Sequence, residues 1–152
     1  MFRIEEEIDQ QRRDLISQRL HDSNSERSEV LRALRGTVAD EEIPLQVYAV
    51  DDEGELAAGL IGYTWGRWLH VDLLWVDAGR RGTKLGSRLV ARAEEIARDE
   101  RDCRYSRVET WDFQAPLFYQ KLGYTIVSQV HDYPPGATDH LLTKPLSPGT
   151  DG

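Results

Sequence analysis

The stretch that organises this 152-residue chain is LWVDAGRRGTKLGS, residues 74–87. Its apolar start is typical of a buried strand, and the apolar stripe that follows has the period of a helix. Between the two lies a turn with three basic residues, Arg80, Arg81 and Lys84. The first amides of a helix have no intrahelical acceptor and carry the positive end of the helix dipole. This strand–turn–helix unit therefore favours a phosphate group.

The residues of this stretch also allow a second interpretation, an ordinary strand-to-helix turn with surface arginines. The P-loop pattern GxxxxGK[ST] and the dinucleotide pattern GxGxxG are both absent from the sequence. From the turn alone, its ligand therefore stays open.

Outside this unit the chain alternates between helical and strand patterns. Two helices come first: one has an apolar stripe over residues 8–20, and the other follows the capping-box spacing Ser23-x-x-Glu26 and ends at Gly36. Residues 2–5 also fit a short strand. The patterns then predict strands at 45–50, 55–65 and 68–76, a helix at 85–98, a strand at 107–111, a helix at 115–122, and strands at 124–130 and 140–143.

The order of these elements predicts a mixed sheet with helices on both of its faces. Strand–helix–strand units imply parallel neighbours, whereas Gly66-Arg67 suits a two-residue hairpin turn between antiparallel strands. The strand at 68–76 is apolar on both sides, so we expect it to be central and covered on both faces. We expect one domain over residues 1–146 and a frayed tail over residues 147–152.

The charge balance limits the classes of partner. Nineteen Lys and Arg against 27 Asp and Glu give a formal net charge of -8, which repels nucleic acid and anionic lipid and attracts amines. The same charge also fits a plain role in solubility. The single cysteine, Cys103, and the lack of an apolar signal region favour the cytoplasm. The histidines and Cys103 lack ligand spacing, so no metal is expected, and no apolar run is long enough to span a membrane.

Two motifs make the sequence resemble the GNAT superfamily of N-acetyltransferases. The pattern L-x-V at 74–76, followed by R-x-x-K-x-G at 81–86, is similar to the pyrophosphate-binding motif of that family, Q/R-x-x-G-x-G/A after a strand. The segment DFQAPLFYQKLGY, residues 112–124, is similar to its second motif, N-x-x-A-x-x-L-Y-x-K-L-G-F. Both motifs occur in the order and spacing of the family, and the resemblance covers about residues 45–145.

The resemblance implies a single-domain α/β fold in α-β-α layers, with a mixed, mostly antiparallel sheet that splays between its central strands. It also implies acetyl-CoA, or a related acyl-CoA, as the acetyl donor. Backbone groups of residues 74–76 would bind the pantetheine arm, amides of residues 81–87 would bind the pyrophosphate, and Tyr119 would protonate the departing thiolate. The implied CoA-binding residues are Leu74, Trp75, Val76, Arg81, Gly82, Thr83, Lys84, Leu85, Gly86, Ser87 and Asp112.

Two residues depart from the family pattern. Lys84 stands where the first glycine is usual. Its amide can still donate in a right-handed conformation, but a required positive φ would weaken CoA binding. Asp112 stands where asparagine is common, and a carboxylate can only accept hydrogen bonds. Neither change removes a group that the chemistry requires.

Direct transfer to an amine needs a group that accepts the proton of the amine. Asp72, on the third strand, is the first candidate, and Glu109, on the strand across the implied splay, is the second. Each carboxylate also fits a purely structural or substrate-orienting role. His70 and His131 are less favoured bases, since a lone histidine on a strand is more often structural. Tyr119 also fits a core aromatic.

The sequence thus predicts an acetyltransferase that moves an acetyl group from acetyl-CoA to a primary amine. A small cationic acceptor suits the acidic surface best, while a protein N-terminus or a lysine side chain stays open. Two other classes also stay open: a non-catalytic acyl-CoA-binding sensor or interaction module, and a structural homodimer unit. Exposed sheet edges leave a homodimer of the enzyme open as well. Neither nucleic acid nor a membrane is expected as a partner.

Overall fold

A computed structural model describes residues 1–113 and 115–146 of the chain. The predicted tail, residues 147–152, lies outside the described residues. The chain divides into two compact units, Met1–Thr37 and Val38–Gly152, and each is described by itself.

The first unit holds two helices, α1 (Gln10–Arg27) and α2 (Glu29–Leu34), which contact each other. Asp9 precedes α1 and Ser28 precedes α2. Each of these side chains accepts a hydrogen bond from an amide in the first turn of its helix. Side-chain caps therefore define both helix starts.

The helix start predicted at Ser23-x-x-Glu26 is wrong. Both residues lie inside α1, which continues to Arg27 and ends where Ser28 takes an extended backbone, with φ -127° and ψ 120°. Inside a continuous helix the amide of Glu26 already has a backbone acceptor, so the capping-box pattern has no orphan amide to satisfy. Residues 2–5, where a short strand was considered, form none.

The second unit is built on a six-stranded sheet with the strand order β1-β2-β3-β4-β6-β5. The strands are β1 (Ile43–Val50), β2 (Leu56–Trp65), β3 (Trp68–Val76), β4 (Tyr105–Trp111), β5 (Thr125–His131) and β6 (Thr138–Pro145). Strands β3 and β4 run parallel, and the other four neighbouring pairs are antiparallel. The predicted α/β fold with a mixed, mostly antiparallel sheet is confirmed. The predicted hairpin turn at Gly66-Arg67 is also confirmed, with a positive φ at both residues.

Helix α3 (Leu85–Arg101) packs its apolar stripe against β1, β2 and β3, and the short helix α4 (Pro116–Lys121) packs against β5 and β6. Burial of each large apolar side chain stabilises the fold by roughly 1.5–3 kcal/mol. The core residues that share this burial are Leu45, Leu60, Leu69, Val71, Leu89, Val90, Ala93, Ala97, Val108, Tyr119, Tyr124 and Leu142.

The prediction that β3 is covered on both faces is wrong for its second half. Leu69 and Val71 are buried, but Leu73 is 63% exposed and Trp75 is 48% exposed. The apolar run misled because a register irregularity in the middle of the strand shifts the alternation, so that Leu74, rather than Leu73 or Trp75, packs against the core. The second half of β3 also lacks β4 as a neighbour.

The sheet splays between β3 and β4. Their pairing runs from Trp68 with Tyr105 to Val71 with Val108 and then stops. Strand β3 continues to Val76 and β4 to Trp111. Since β3 remains paired with β2 and β4 with β6, the described residues supply no strand partner for the backbone groups on the two facing edges beyond this point. The splay that the family resemblance implies is confirmed.

A β-bulge lies where the splay begins. The register between β2 and β3 shifts between Ile61 and Gly62, so that Asp72 has no Cα partner on β2. A β-carbon on Gly62 would overlap the carbonyl oxygen of His70. The bulge therefore depends on a close backbone approach that glycine permits.

We predict that Gly62→Ala destabilises the fold by about 1–3 kcal/mol, because the added methyl group must push β3 away from β2. Urea unfolding measures this change. Gly79→Ala is the matched control, since its β-carbon would meet only the Asp77 carboxylate at 3.6 Å, and we expect a change within about 0.5 kcal/mol. Equal effects of the two substitutions would contradict the account of the bulge.

Candidate active site

The turn from β3 into α3 contains a run of backbone amides without acceptors. Among the described residues, none of the amides from Gly82 to Ser87 donates to another group of the protein. The first backbone hydrogen bond of the helix runs from the amide of Arg88 to the carbonyl of Lys84, at 3.0 Å. These amides lie at the positive end of the α3 dipole, where an anion is favoured.

Lys84 lies at the N-cap of α3 with φ 65° and ψ 18°, in the left-handed region. The right-handed conformation considered for this lysine is therefore not adopted. For a residue with a β-carbon the left-handed region costs about 1 kcal/mol, and the side chain makes no capping hydrogen bond in return. The glycine of the family pattern would adopt this turn without that cost.

The positive charge of Arg80 is paired with a carboxylate and is not free for a ligand at the turn. Its Nη2 donates to Oδ2 of Asp51 at 2.9 Å, and Asp51 follows β1. The amide of Glu55 lowers the pKa of the Asp51 carboxyl, and Arg80 lowers it further. Among the described residues, Arg81 and Lys84 have no acidic partner within 4.0 Å, so the positive charge available to a ligand comes from these two.

Gly86 brings α4 close to the start of α3. A β-carbon on Gly86 would lie 3.2 Å from Cζ of Phe118 and 3.6 Å from Cγ2 of Val76. The close approach that Gly86 allows therefore joins three elements of the site: the end of β3, the first turn of α3, and the helix that carries Tyr119.

Tyr119 is buried on α4, with 4% of its surface exposed. Its ring contacts those of Phe118 and Tyr124 edge to face, with centroids 5.0 and 5.6 Å away. Burial raises the pKa of Tyr119 to about 12, so the phenol stays protonated at neutral pH. In the part of the chain that the structure describes, its hydroxyl makes no hydrogen bond. This position suits a proton donor and suits a core aromatic equally.

A buried polar network next to Tyr119 was not predicted from the sequence. The hydroxyl of Tyr124 donates to Oε2 of Glu94 at 2.8 Å and lies 2.7 Å from Oγ of Ser106. Lys144 donates to Oε1 of Glu94 at 2.8 Å. The network ties α3 to β4 and β6 and holds the core beneath Tyr119. Its residues lie far apart in the chain, so no local pattern signalled it.

The opposite face of the sheet carries the acidic candidates. On β4 the buried residues Ser106, Val108 and Thr110 alternate with exposed or half-buried residues, among them Glu109. Strand alternation therefore points Glu109 away from α3. At the start of the splay this face has a cleft of about 110 Å³, lined by His70, Val71, Asp72, Arg107, Val108 and Glu109. The structure thus brings the two predicted carboxylates, Asp72 and Glu109, to one cleft.

His70 lies in the same cleft. Its Nδ1 is 3.7 Å from Oδ1 of Asp72, and its ring stacks on Tyr63 with the centroids 4.7 Å apart. Burial and the nearby Arg107 lower the pKa of His70, although Asp72 opposes the shift. The imidazole is therefore neutral at neutral pH and able to accept a proton.

Arg107 lines the cleft, and Asp139 of β6 adjoins Glu109; the sequence singled out neither residue. Nη2 of Arg107 donates to Oε1 of Glu109 at 3.3 Å. Burial and the negative charge of the adjacent Glu109 raise the pKa of Asp139. The signal that could have found Arg107 is its place two residues before Glu109 on a strand, and therefore on the same face.

Two other candidates lie outside this cleft. Asp112 directly follows β4, and its amide donates to the carbonyl of Thr138 at 3.0 Å. His131, at the end of β5, has Nδ1 3.1 Å from Oγ1 of Thr138 and is absent from the cleft lining.

Residues 1–113 and 115–146 contain no group of three or more side chains placed to hold a metal ion. Over the same residues, every helix is too short or too polar to cross a bilayer.

Comparisons with known proteins agree with this geometry. Residues 8–124 match the acetyltransferase (GNAT) family. The chain is 60% identical over 131 residues to the blasticidin-S acetyltransferase of Streptomyces morookaense, which covers 84% of this chain and 96% of that protein.

Solved structures share the fold as well. An acetyltransferase from Bacillus cereus superposes with a TM-score of 0.80 at 29% identity, over 94% of this chain and 97% of that one. An aminoglycoside 6'-N-acetyltransferase complexed with coenzyme A superposes with a TM-score of 0.62 at 20% identity, over 80% of each chain. With a family match over most of its length and a 60% identical acetyltransferase as a relative, the chain belongs to the GNAT family of acetyltransferases.

Proposed function

We propose that this acetyltransferase moves an acetyl group directly from acetyl-CoA to a primary amine of a small cationic molecule. The observation that carries the proposal is the splay between β3 and β4. Unpaired amides and Tyr119 lie on the α3–α4 side of it, and an acidic cleft lies on the other side. The two substrates would meet at the splay from opposite faces of the sheet.

On the α3–α4 side, the free edge of β3 at Leu74, Trp75 and Val76 would hydrogen-bond the pantetheine arm as an added strand. The unpaired amides of residues 82–87 would bind the pyrophosphate, with Arg81 and Lys84 supplying positive charge. Asp112, at the end of the facing strand, would lie near the same arm. Among the described residues these backbone groups have no pairing partner, which supports this assignment.

On the opposite face, Asp72 and Glu109 would attract the ammonium form of the acceptor and remove its proton, directly or through a water. An amine with a pKa near 10 is almost fully protonated at neutral pH, so this step is required. Asp72 is the preferred base because it lies at the bulge where the strands part. His70 beside it is neutral and can relay the proton.

Tyr119 would supply the proton that the departing thiolate needs. Burial raises its pKa to about 12, so the phenol is fully protonated at neutral pH. Its hydroxyl has no hydrogen-bond partner among the described residues, which leaves it available to a ligand.

Blasticidin S is the first acceptor to test, because the 60% identical relative is named for its acetylation. A non-catalytic acyl-CoA-binding module is not favoured, since that relative is named as an enzyme and the match covers 96% of its length. A cytoplasmic location, a homodimer, and the absence of nucleic-acid and membrane partners stay predictions.

We predict that thiol release with a panel of amines, blasticidin S included, shows acetyl transfer by the wild-type enzyme. Tyr119→Phe should lower kcat by about 10²-fold or more, because it removes a general acid, and should leave the KM for acetyl-CoA nearly unchanged. Tyr48→Phe is the matched control, since it removes the hydroxyl of an exposed tyrosine on β1. Unchanged turnover in Tyr119→Phe would exclude the assigned acid.

Substitutions of the two carboxylates should have different kinetic effects. Asp72→Asn should lower kcat by about 10²-fold if this carboxylate is the base. Glu109→Gln should act mainly through the KM of a cationic amine, because Glu109 also pairs with Arg107. Steady-state kinetics with a saturating concentration of acetyl-CoA measure both effects. A normal kcat in Asp72→Asn together with a collapsed kcat in Glu109→Gln would reverse the assignment.

Substitutions of Lys84 test the backbone conformation of the turn from β3 into α3. Lys84→Gly should raise the free energy of unfolding by about 0.5–1 kcal/mol, because glycine adopts the left-handed conformation without strain. Lys84→Ala keeps the β-carbon and should bring no such gain. Urea unfolding measures both variants, and calorimetry with acetyl-CoA should show that Lys84→Gly still binds. Equal stabilisation by alanine would contradict the strained turn.

A further inference from the structure

The acidic cleft at the splay contains a cation between its carboxylates. Arg107 lies on β4 opposite His70 of β3 in the strand register and lines the same cleft as Asp72 and Glu109. A site built only to attract a cationic amine gains nothing from a guanidinium in its wall, since like charges repel. Attraction of an amine therefore does not explain why Arg107 lies in this cleft.

The hydrogen bonds of Arg107 are incomplete. Within the part of the chain that the structure describes, its Nε is buried and has no hydrogen-bond partner. The acceptor that it does contact is Glu109, through Nη2 at a long 3.3 Å. A buried N–H without an acceptor is unfavourable unless another group supplies one. The side chain is nonetheless 33% exposed, so a molecule in the cleft can reach it.

We propose that Arg107 binds a carboxylate of the acceptor, so that the preferred substrates are amines that also carry a carboxylate. This inference rests on the proposed function. A guanidinium presents its N–H groups as a planar fork that matches the two oxygens of a carboxylate. A rotation of the half-buried side chain toward the cleft would bring the unpartnered Nε to this second acceptor.

The charges in the cleft then fix the orientation of the acceptor. Its ammonium group faces Asp72, and its carboxylate faces Arg107. The cleft volume of about 110 Å³ holds several groups of the size of a water molecule, so the two charged groups are only a few atoms apart. His70 is neutral at neutral pH and adds no positive charge to compete with the amine.

The test compares acceptors that differ only in the carboxylate. Lysine is paired with lysinamide, and ornithine with ornithinamide, and thiol release from acetyl-CoA is followed. The wild-type enzyme should show a kcat/KM at least about tenfold higher for each free acid, as expected for one charge-assisted contact. Arg107→Gln should abolish this preference. Its kcat/KM for the free acids should fall by at least about tenfold more than its kcat/KM for the amides, because the amides lack the carboxylate that the guanidinium binds.

Two variants serve as controls. Arg92→Gln removes an exposed guanidinium of α3 and should keep the preference. Arg107→Lys should restore part of the preference, because its charge remains but its fork is lost. Circular dichroism of each variant establishes that it is folded.

Three results would overturn the inference: equal use of acids and amides by the wild type, an equal loss on both in Arg107→Gln, or no turnover of any of the four while other amines are acetylated. In each of these the proposed acetyltransferase activity stands. If no amine at all is acetylated, the proposed function fails and the inference fails with it.

Discussion

The end of pairing between β3 and β4 is the constraint on which the rest of the site depends. The two central strands pair over four residues each and then separate, although both remain paired with their outer neighbours. A bulge at Asp72, permitted by Gly62, lies where they separate. Two facing edges of unpaired backbone in the middle of a sheet are unfavourable in a closed fold. They are understandable if a ligand completes them.

The distribution of charge around this splay differs between the two faces of the sheet. The protein has a formal net charge of -8, but positive and negative groups lie on different faces of the sheet near the site. Unpaired amides, Arg81 and Lys84 make the α3 side suitable for phosphates. Asp72 and Glu109 make the opposite side suitable for an amine. Arg107 refines this picture, because it places one cation inside the acidic cleft and so favours a zwitterionic acceptor over a simple cation.

The sequence predicted much of the fold, because its two motifs are local patterns whose spacing reflects the family architecture. Strand positions and the helix at Leu85 followed from the apolar patterns, the splay followed from the family resemblance, and all three were confirmed. Features set by long-range register or tertiary partners could not be predicted. Arg80 faces Asp51, 29 residues away, and the first helix continues past Ser23 to Arg27, where Ser28 caps the next helix. The spacing of Arg107 and Glu109 on one strand indicates a shared face, but the position of Arg107 opposite His70 depends on the strand register.

The most direct test of the central claim is hydrogen exchange of the amides with and without CoA, with binding established by calorimetry. The account predicts slower exchange at residues 82–87 and on the free edges of β3 and β4 beyond Val71 and Val108, with little change in α1 and α2. Binding of CoA that leaves these amides unchanged, or that protects a different part of the sheet, would contradict the assignment of the splay as the acetyl-CoA site.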